Sequence, residues 1–179
     1  GDEIVLVSIG RLVPWKGFDG LMEFLRHLLN KKYNLKLLIV GDGPDRIKLE
    51  QKAKNLGVAN KVEFFGSVDH NKIWQILRSA DIFALNSSYE GFSHIIVEAM
   101  ASVLPVVVSQ VGGNGEIVTD GKSGFLFEYN NLDKLEKILE KLINNKNLRL
   151  EMGESGLIRA QDFSLEKMLG KLSALFNSL

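Results

Sequence analysis

The stretch DIFALNSSYEGFSHIIVEAMASVLPVVV, residues 81–108, decides the fold of this 179-residue chain. Its pattern predicts a buried strand over residues 82–85, a polar loop, a helix over residues 93–102 and a second buried strand after Pro105. A strand, a loop and a helix in this order direct the loop and the free N–H groups of the first helical turn into one crevice. In open α/β sheets such a crevice lies at the carboxyl ends of the strands, where ligands bind.

Strand and helix patterns alternate on both sides of this stretch. The other predicted strands span residues 4–9, 35–40, 62–65 and 125–127, and the other predicted helices span 18–29, 46–56, 69–79, 132–143, 147–160 and 165–179, with a short helix within 112–124. The connections are too long for hairpins, which indicates parallel strands covered by helices. We predict an α/β, Rossmann-like, doubly wound parallel sheet of about six strands with helices on both faces, in a single domain over residues 1–179.

Composition excludes several classes of function. Lys+Arg and Asp+Glu both number 22, so the net charge of zero predicts no nucleic-acid partner. The absence of cysteine excludes disulfides and thiol catalysis and fits a cytoplasmic protein, and the three histidines are too dispersed to indicate a zinc site. No apolar run reaches the roughly 20 residues that a membrane span requires. Because the chain opens almost directly on a strand, we expect it to be part of a longer protein.

Glu90 and Glu98 are the first candidate site residues, eight positions apart in the loop and the helix of the central stretch. Carboxylates accept hydrogen bonds from vicinal hydroxyls, as in a ribose or a hexose. The alternative is two solvated glutamates near a helix start, where negative charge is mildly stabilising. The intervening Gly91-Phe92-Ser93 turn favours the binding interpretation, because a glycine lets the backbone approach a ligand closely.

Arg11 and Lys16 are the second pair of candidates, in the glycine-rich loop that begins at Gly10 after the first strand. If the strands are parallel, this loop shares an edge of the sheet with Glu90. Two cations and glycine amides bind a diphosphate, the arginine through its fork and the lysine as a point charge. The alternative is two exposed surface cations.

Three other motifs are incomplete or misplaced. Residues 41–46, GDGPDR, begin like a dinucleotide fingerprint, but Arg46 replaces its third glycine. Residues 116–123 resemble a P-loop, but Glu116 replaces its first glycine and the segment leads from a helix into a strand. Asn86-Ser87-Ser88 fits a glycosylation acceptor, yet it lies at the end of a predicted core strand.

One histidine and both tryptophans remain to be assigned. His94, beside the Gly-Phe-Ser turn, is either a ligand contact or acid/base, or a polar surface residue at a helix start. Trp15 and Trp74 are predicted to be packing residues.

The order and spacing of several motifs resemble one known family. The motifs are GRLVPWKG (10–17), LLIVGDGPD (37–45), VEFFGSV (62–68), ADIFALNSSYEGFSHIIVEAMAS (80–102), LPVVVSQVGG (104–113), EIVTDGKSGFLF (116–127) and DFS (162–164). Together they cover nearly the whole chain. They are similar to the C-terminal, donor-binding half of retaining glycosyltransferases of GT-B fold, of the family 4 type.

The resemblance implies a role for each candidate. Glu90 matches the first acid of the family's E-x7-E motif and is expected to be catalytic, orienting the hydroxyls of the donor sugar; Glu98 matches the second acid, on the ribose. Arg11 and Lys16 match the pair that holds the diphosphate. The implied donor-binding residues are Gly10, Arg11, Lys16, Gly66, Val68, Gly91, Phe92, Ser93, His94 and Glu98, with Gly66 and Val68 near the base.

The family also implies a reaction. The expected enzyme transfers a hexose or N-acetylhexosamine from a UDP or GDP sugar, without a metal or other cofactor, to a glycan or lipid-linked acceptor in bacterial polysaccharide biosynthesis. The acceptor-binding half of the family is missing, so we expect the isolated domain to be inactive or weakly active. Two alternatives are a nucleotide-sugar epimerase of the same fold and a non-catalytic nucleotide-binding module.

Three places depart from the family pattern. Gly115 stands where Pro or another residue is frequent before Glu116. Ser93-His94 replaces the Gly or Pro that often follows Phe92 in relatives. Val103 occupies a position commonly held by glycine just past the helix. If the left-handed backbone of the family persists there, a β-branched residue is strained.

Overall fold

Strands and helices alternate along the structure, a computed structural model that describes residues 3–164 and Lys167. The strands are β1 (Ile4–Ile9), β2 (Leu35–Val40), β3 (Val62–Gly66), β4 (Ile82–Leu85), β5 (Val106–Ser109) and β6 (Phe125–Phe127). The helices are α1 (Phe18–Asn30), α2 (Arg46–Asn55), α3 (His70–Ser79), α4 (His94–Ala101), α5 (Asn114–Ile117), α6 (Leu132–Ile143) and α7 (Lys146–Ala160). Short 3₁₀ turns lie at Pro14–Lys16, Ala59–Lys61 and Gln161–Phe163. The helix predicted over residues 165–179 lies outside the described residues.

All strand pairs in the sheet are parallel, and the order is β3-β2-β1-β4-β5-β6. This confirms the predicted six-stranded, Rossmann-like doubly wound sheet. The order reverses between β1 and β4, which pair through Leu6 with Ile82 and Val7 with Phe83. The loops that follow these two strands therefore diverge over a crevice at the switch point, the usual ligand site of such sheets.

The core lies on both faces of the sheet, as expected for strands that are apolar along their whole length. One face packs Leu6, Leu37 and Ile82 against the apolar sides of α1, α2 and α6. The other packs Val7 and Phe83 against α3, α4 and α5. In the described part of the chain, no helix combines the length and the apolarity that a bilayer crossing requires.

Side-chain caps fix several helix starts. The Asp69 carboxylate accepts a hydrogen bond of 2.8 Å from the Lys72 N–H, which confirms it as the N-cap of α3. Asn145 caps α7 in the same way, so this helix begins at Lys146, one residue earlier than predicted. The packing role predicted for Trp15 is wrong: the residue is 47% exposed, because it lies in the 3₁₀ turn of the β1–α1 loop rather than on the apolar face of a helix.

Val103 has φ +63, so the predicted left-handed backbone is confirmed at a β-branched residue. It lies between α4 and β5, where its carbonyl oxygen faces Gly153 of α7. A Cβ at position 153 would come within 2.1 Å of that oxygen. The strained turn therefore fits closely against α7.

Candidate active site

Glu90 and Lys16 form an ion pair at the switch point. The Lys16 Nζ donates to Glu90 Oε1 at 2.6 Å, and the two side chains are 17% and 8% exposed. The Ser87 hydroxyl donates to the same carboxylate oxygen at 2.6 Å. The structure therefore brings together two residues that stand 74 positions apart, as parallel strands predict, and holds the carboxylate by two donors.

The backbone that carries Glu90 is supported by the segment after β5. The Ser109 hydroxyl donates to the Ser87 carbonyl at 2.7 Å, and the Gly113 N–H donates to the Gly91 carbonyl at 3.0 Å. Gly112 has φ +50, and a Cβ there would come within 1.7 Å of the Glu90 carbonyl oxygen. Sequence reasoning did not assign these supporting residues to the site. The Gly112-Gly113 pair, which begins three residues after the end of β5, was the signal for such a close approach.

Gly91 has neither a left-handed φ nor a packing constraint within the described chain. A Cβ built there meets nothing within 4 Å. Ser93, two residues further on, is buried and extended, and it precedes the first turn of α4. The free N–H groups of that turn, together with the helix dipole, favour an anion. The surroundings of Gly91 therefore leave space for a ligand at the N-terminus of α4.

Arg11 and Gly10 begin the β1–α1 loop on the other side of the crevice. The Lys16 side chain lies over Gly10, since a Cβ at Gly10 would be 3.5 Å from the Lys16 Cε. The loop is bonded to the turn after β2, where the Leu12 N–H donates to the Asp42 carbonyl at 3.0 Å. Arg11 is exposed, and its guanidinium has no ion-pair partner among the described residues. It is thus available to an incoming anion.

Glu98 and His94 lie on α4, four residues apart and hence on neighbouring turns of one helix face. Glu98 is half-buried, and no side chain in the described ranges bonds to its carboxylate. His94 is exposed, and its ring meets that of Phe92 edge-on at 5.1 Å between centroids. The Glu98 carboxylate is thus available to a hydroxyl-bearing ligand. The His94 ring instead packs edge-on against Phe92.

Gly66 and Val68 lie at the same edge of the sheet but not beside Glu90. Gly66 is the last residue of β3 and Val68 follows that strand. β3 is the outermost strand on one side, and β2 and β1 stand between β3 and β4. Three strand spacings of about 4.8 Å separate β3 from β4, roughly 14 Å. Gly66 has φ +70, and its Cβ position is covered by the Arg46 guanidinium, 2.8 Å from Nη1. A ligand that reaches both places must be elongated.

Phe92 also contacts the 3₁₀ turn that follows α7. Its ring lies 5.5 Å from that of Phe163, which is covered in turn by the Arg159 guanidinium at 4.8 Å. Arg159 pairs with Asp162 at 3.0 Å. The Lys167 ammonium, and to a lesser extent Arg159, holds the pKa of the Asp162 carboxyl below its ordinary value. This charged group anchors the aromatic contact at the rim of the site.

Metal-ligand geometry is absent from the parts of the chain that the structure describes: no group of three or more His, Asp or Glu side chains is placed to hold an ion. The charges that the described site offers to an anion are those of Lys16 and Arg11 and the partial charge at the N-terminus of α4.

Known proteins share this fold and sequence. An uncharacterized glycosyltransferase of Methanocaldococcus jannaschii is 37% identical over 183 residues, covering 100% of this chain and 49% of the relative. HepE of Anabaena, solved with UDP, matches with a TM-score of 0.89 and 28% identity over 99% of this chain and 49% of that chain. The C-terminal domain of LpcC, a group 1 glycosyl transferase from Francisella tularensis, matches with a TM-score of 0.81 and 27% identity over 90% of this chain and 87% of that one.

The chain spans about half the length of the curated relatives it matches, 49% and 46% for the first two of them. The family model for glycosyl transferases group 1 matches residues 1–158, which include every candidate site residue. The predicted resemblance to the C-terminal domain of GT-B-fold enzymes is confirmed by these matches. The chain belongs to the glycosyl transferases group 1 family.

Proposed function

We propose that this chain is the nucleotide-sugar-binding domain of a retaining glycosyltransferase. The whole enzyme would transfer a hexose or an N-acetylhexosamine from a nucleoside diphosphate to a glycan or lipid-linked acceptor. The acceptor would be bound by a second half that the chain does not contain. Catalysis requires both substrates aligned and water excluded, so the chain alone should bind the donor and transfer it poorly.

One observation carries this proposal: a cation and a carboxylate, Lys16 and Glu90, meet at the switch point of the sheet. Lys16 and the unpaired Arg11 follow β1, and Glu90 follows β4 across the same crevice. A diphosphate between these loops would meet two cations and the N-terminus of α4. The half-buried Glu98 would accept hydrogen bonds from the ribose, and Gly66 and Val68 would lie near the base.

Glu90 is proposed to orient the donor sugar rather than to attack it. One oxygen of its carboxylate already accepts hydrogen bonds from Lys16 and Ser87, and these occupy the lone pairs that an attack on the sugar would need. Arg11, Lys16 and the α4 dipole would offset the charge on the departing diphosphate, the task that a metal performs in other transferases. The proposed reaction therefore needs no metal.

UDP is the first donor nucleotide to test. The fold of this chain follows that of HepE, which has been solved with UDP and with UDP-glucose. Calorimetric titration of the 179-residue chain with UDP, GDP and ADP should identify one nucleotide that binds best. Arg11→Ala and Glu98→Ala should both weaken it. Failure of all three to bind, both to the chain and to an enzyme in which it is joined to an acceptor-binding half, would overturn the proposal.

Glu90→Gln separates sugar orientation from nucleotide binding. In an enzyme that contains both halves, this substitution should lower kcat by about 100-fold, the scale of losing one preorganised polar contact in the transition state. Its affinity for the free nucleoside diphosphate should be kept or raised, because the substitution leaves Arg11 and Lys16 in place and releases the Lys16 ammonium from its ion pair. Normal turnover by Glu90→Gln would show that the assignment of Glu90 is wrong.

A further inference from the structure

Asn86 is a wholly buried polar residue at the end of β4, four positions before Glu90. Its amide makes a reciprocal pair with Asn130: Asn86 Nδ2 donates to Asn130 Oδ1 at 2.9 Å, and Asn86 Oδ1 accepts from the Asn130 N–H at 3.1 Å. Its burial also leaves the Asn-Ser-Ser sequence inaccessible for glycosylation. We call the pair of Asn86 and Asn130 the asparagine clamp.

The clamp contacts the loop that carries Lys16. Asn86 Nδ2 also donates to the Gly17 carbonyl at 3.4 Å, next to Lys16 in the chain. Gly17 has φ +63, and a Cβ there would come within 1.8 Å of the Asn86 carbonyl oxygen. A Cβ at Gly20, in the first turn of α1, would approach Asn86 Nδ2 to 2.7 Å and Asn130 Oδ1 to 3.2 Å. The β1–α1 loop is therefore seated directly on the clamp.

A second bond ties the same loop to the Glu90 side of the crevice. The Ser88 N–H donates to the Trp15 carbonyl at 2.8 Å. Lys16 thus lies between two anchored residues, Trp15 and Gly17, and its long side chain extends from this fixed backbone to Glu90. A lysine side chain is flexible, so the precision of its ammonium depends on the backbone from which it starts.

We infer that Asn130 is a positioning residue for diphosphate binding, which acts through Asn86 and Gly17 to hold Lys16 at the crevice. This inference rests on the proposed function, because it assigns the diphosphate as the group that Lys16 meets. The opposing interpretation is that the clamp only satisfies a buried amide. The two interpretations predict different results in a variant that lacks the Lys16 side chain. If Asn130 positions Lys16, a substitution of Asn130 changes nucleotide affinity only when Lys16 is present.

The test is a double-mutant cycle on the 179-residue chain. Asn130→Gly removes the acceptor for Asn86 without straining the backbone, since Asn130 has φ +57. Titrated with the best-binding of UDP, GDP and ADP, Asn130→Gly should lose about threefold to tenfold in affinity, within the usual coupling of contacting residues. In the Lys16→Ala background it should cause no further loss. An unchanged affinity, or an equal loss in both backgrounds, would overturn the inference.

Asn131 supplies the matched control. It lies beside Asn130 but caps α6, accepting from the Lys134 N–H at 3.0 Å. Asn131→Ala should lower the melting temperature and leave nucleotide affinity unchanged. A loss of affinity equal to that of Asn130→Gly would mean that any damage to this loop suffices, which contradicts a specific role for Asn130.

Hydrogen exchange tests, without a ligand, whether Asn130 holds the loop that carries Lys16. Asn130→Gly should accelerate exchange of the Ser88 amide, which bonds to Trp15, relative to the Phe83 amide, which donates to the Pro105 carbonyl at 3.0 Å. Unchanged exchange of the Ser88 amide would show that Asn130 does not hold the Lys16 loop. If neither the unmodified chain nor the enzyme with both halves binds any of the three nucleotides, the proposed function fails, and this measurement still accepts or rejects the hold of Asn130 on the Lys16 loop.

Discussion

The contact between Lys16 and Glu90 pairs two charges that are largely removed from water. Both side chains are largely buried, so separating them without compensation is costly. A diphosphate would supply that compensation to Lys16, and a sugar hydroxyl or Ser87 would supply it to Glu90. A ligand that separates the pair must therefore supply a charged or polar partner to each group.

Val103 illustrates local strain at a single residue. Its φ of +63 costs about 1–2 kcal/mol for a residue with a side chain. Val103→Gly should therefore raise the free energy of unfolding by about 1 kcal/mol, less than the full strain because glycine also gains freedom in the unfolded chain. Urea denaturation followed by circular dichroism measures the change.

Val103→Ala is the control for that prediction. Alanine keeps Cβ, and with it most of the left-handed strain, while it removes the branched methyl groups that approach Gly153. It should leave stability close to the starting value or slightly below it. Equal stability of Val103→Gly and Val103→Ala would show that backbone strain is not what limits this position.

At the scale of elements, α4 and α7 meet through small residues. A Cβ at Gly153 would meet the Val103 carbonyl at 2.1 Å, and a rigid backbone atom cannot give way. Gly153→Ala should therefore cost about 1–3 kcal/mol in the free energy of unfolding, the usual penalty of overpacking.

Gly156 on the same helix gives the matched comparison. A Cβ there would find its nearest atoms at 3.5 and 3.6 Å, which is ordinary contact. Gly156→Ala should be neutral or should stabilise by up to about 1 kcal/mol, through the higher helix propensity of alanine. Thermal melts of both variants measure the difference. A tolerated Gly153→Ala, or equal effects of the two variants, would contradict the close fit between α7 and the Val103 turn.

How well the sequence predicts each element depends on the range of the interaction that forms it. The apolar runs of β1 and β2 are local patterns of six residues each, and the sequence predicts both strands with the right ends. The meeting of Lys16 and Glu90 followed from parallel topology. The pairing of Asn86 with Asn130 did not, because it joins two polar residues 44 positions apart that no hydropathy pattern connects. Trp15 was misassigned because a tryptophan alone carries no periodicity.

At the scale of the whole molecule, the switch point divides the site between two halves of the sheet. Arg11, Lys16, Gly66 and Val68 follow strands of the β3-β2-β1 half, and Glu90 follows β4 of the other half. The net charge is zero, so attraction for a diphosphate depends on where the cations lie rather than on the charge of the chain. A ligand that spans the crevice would bridge the two halves.

Binding to such a site should stabilise the folded chain as a unit. At 100 times its dissociation constant, the best-binding nucleoside diphosphate should add about 2.7 kcal/mol to the free energy of unfolding, because it binds the folded state alone. The matching nucleoside at equal concentration should give a much smaller thermal shift, since it lacks the charges that Arg11 and Lys16 would hold. Arg11→Ala should reduce the shift with the diphosphate and leave that with the nucleoside unchanged. Equal shifts with diphosphate and nucleoside, each insensitive to Arg11→Ala, would mean that the β1–α1 loop does not bind phosphate, and the two cations would then be surface charges.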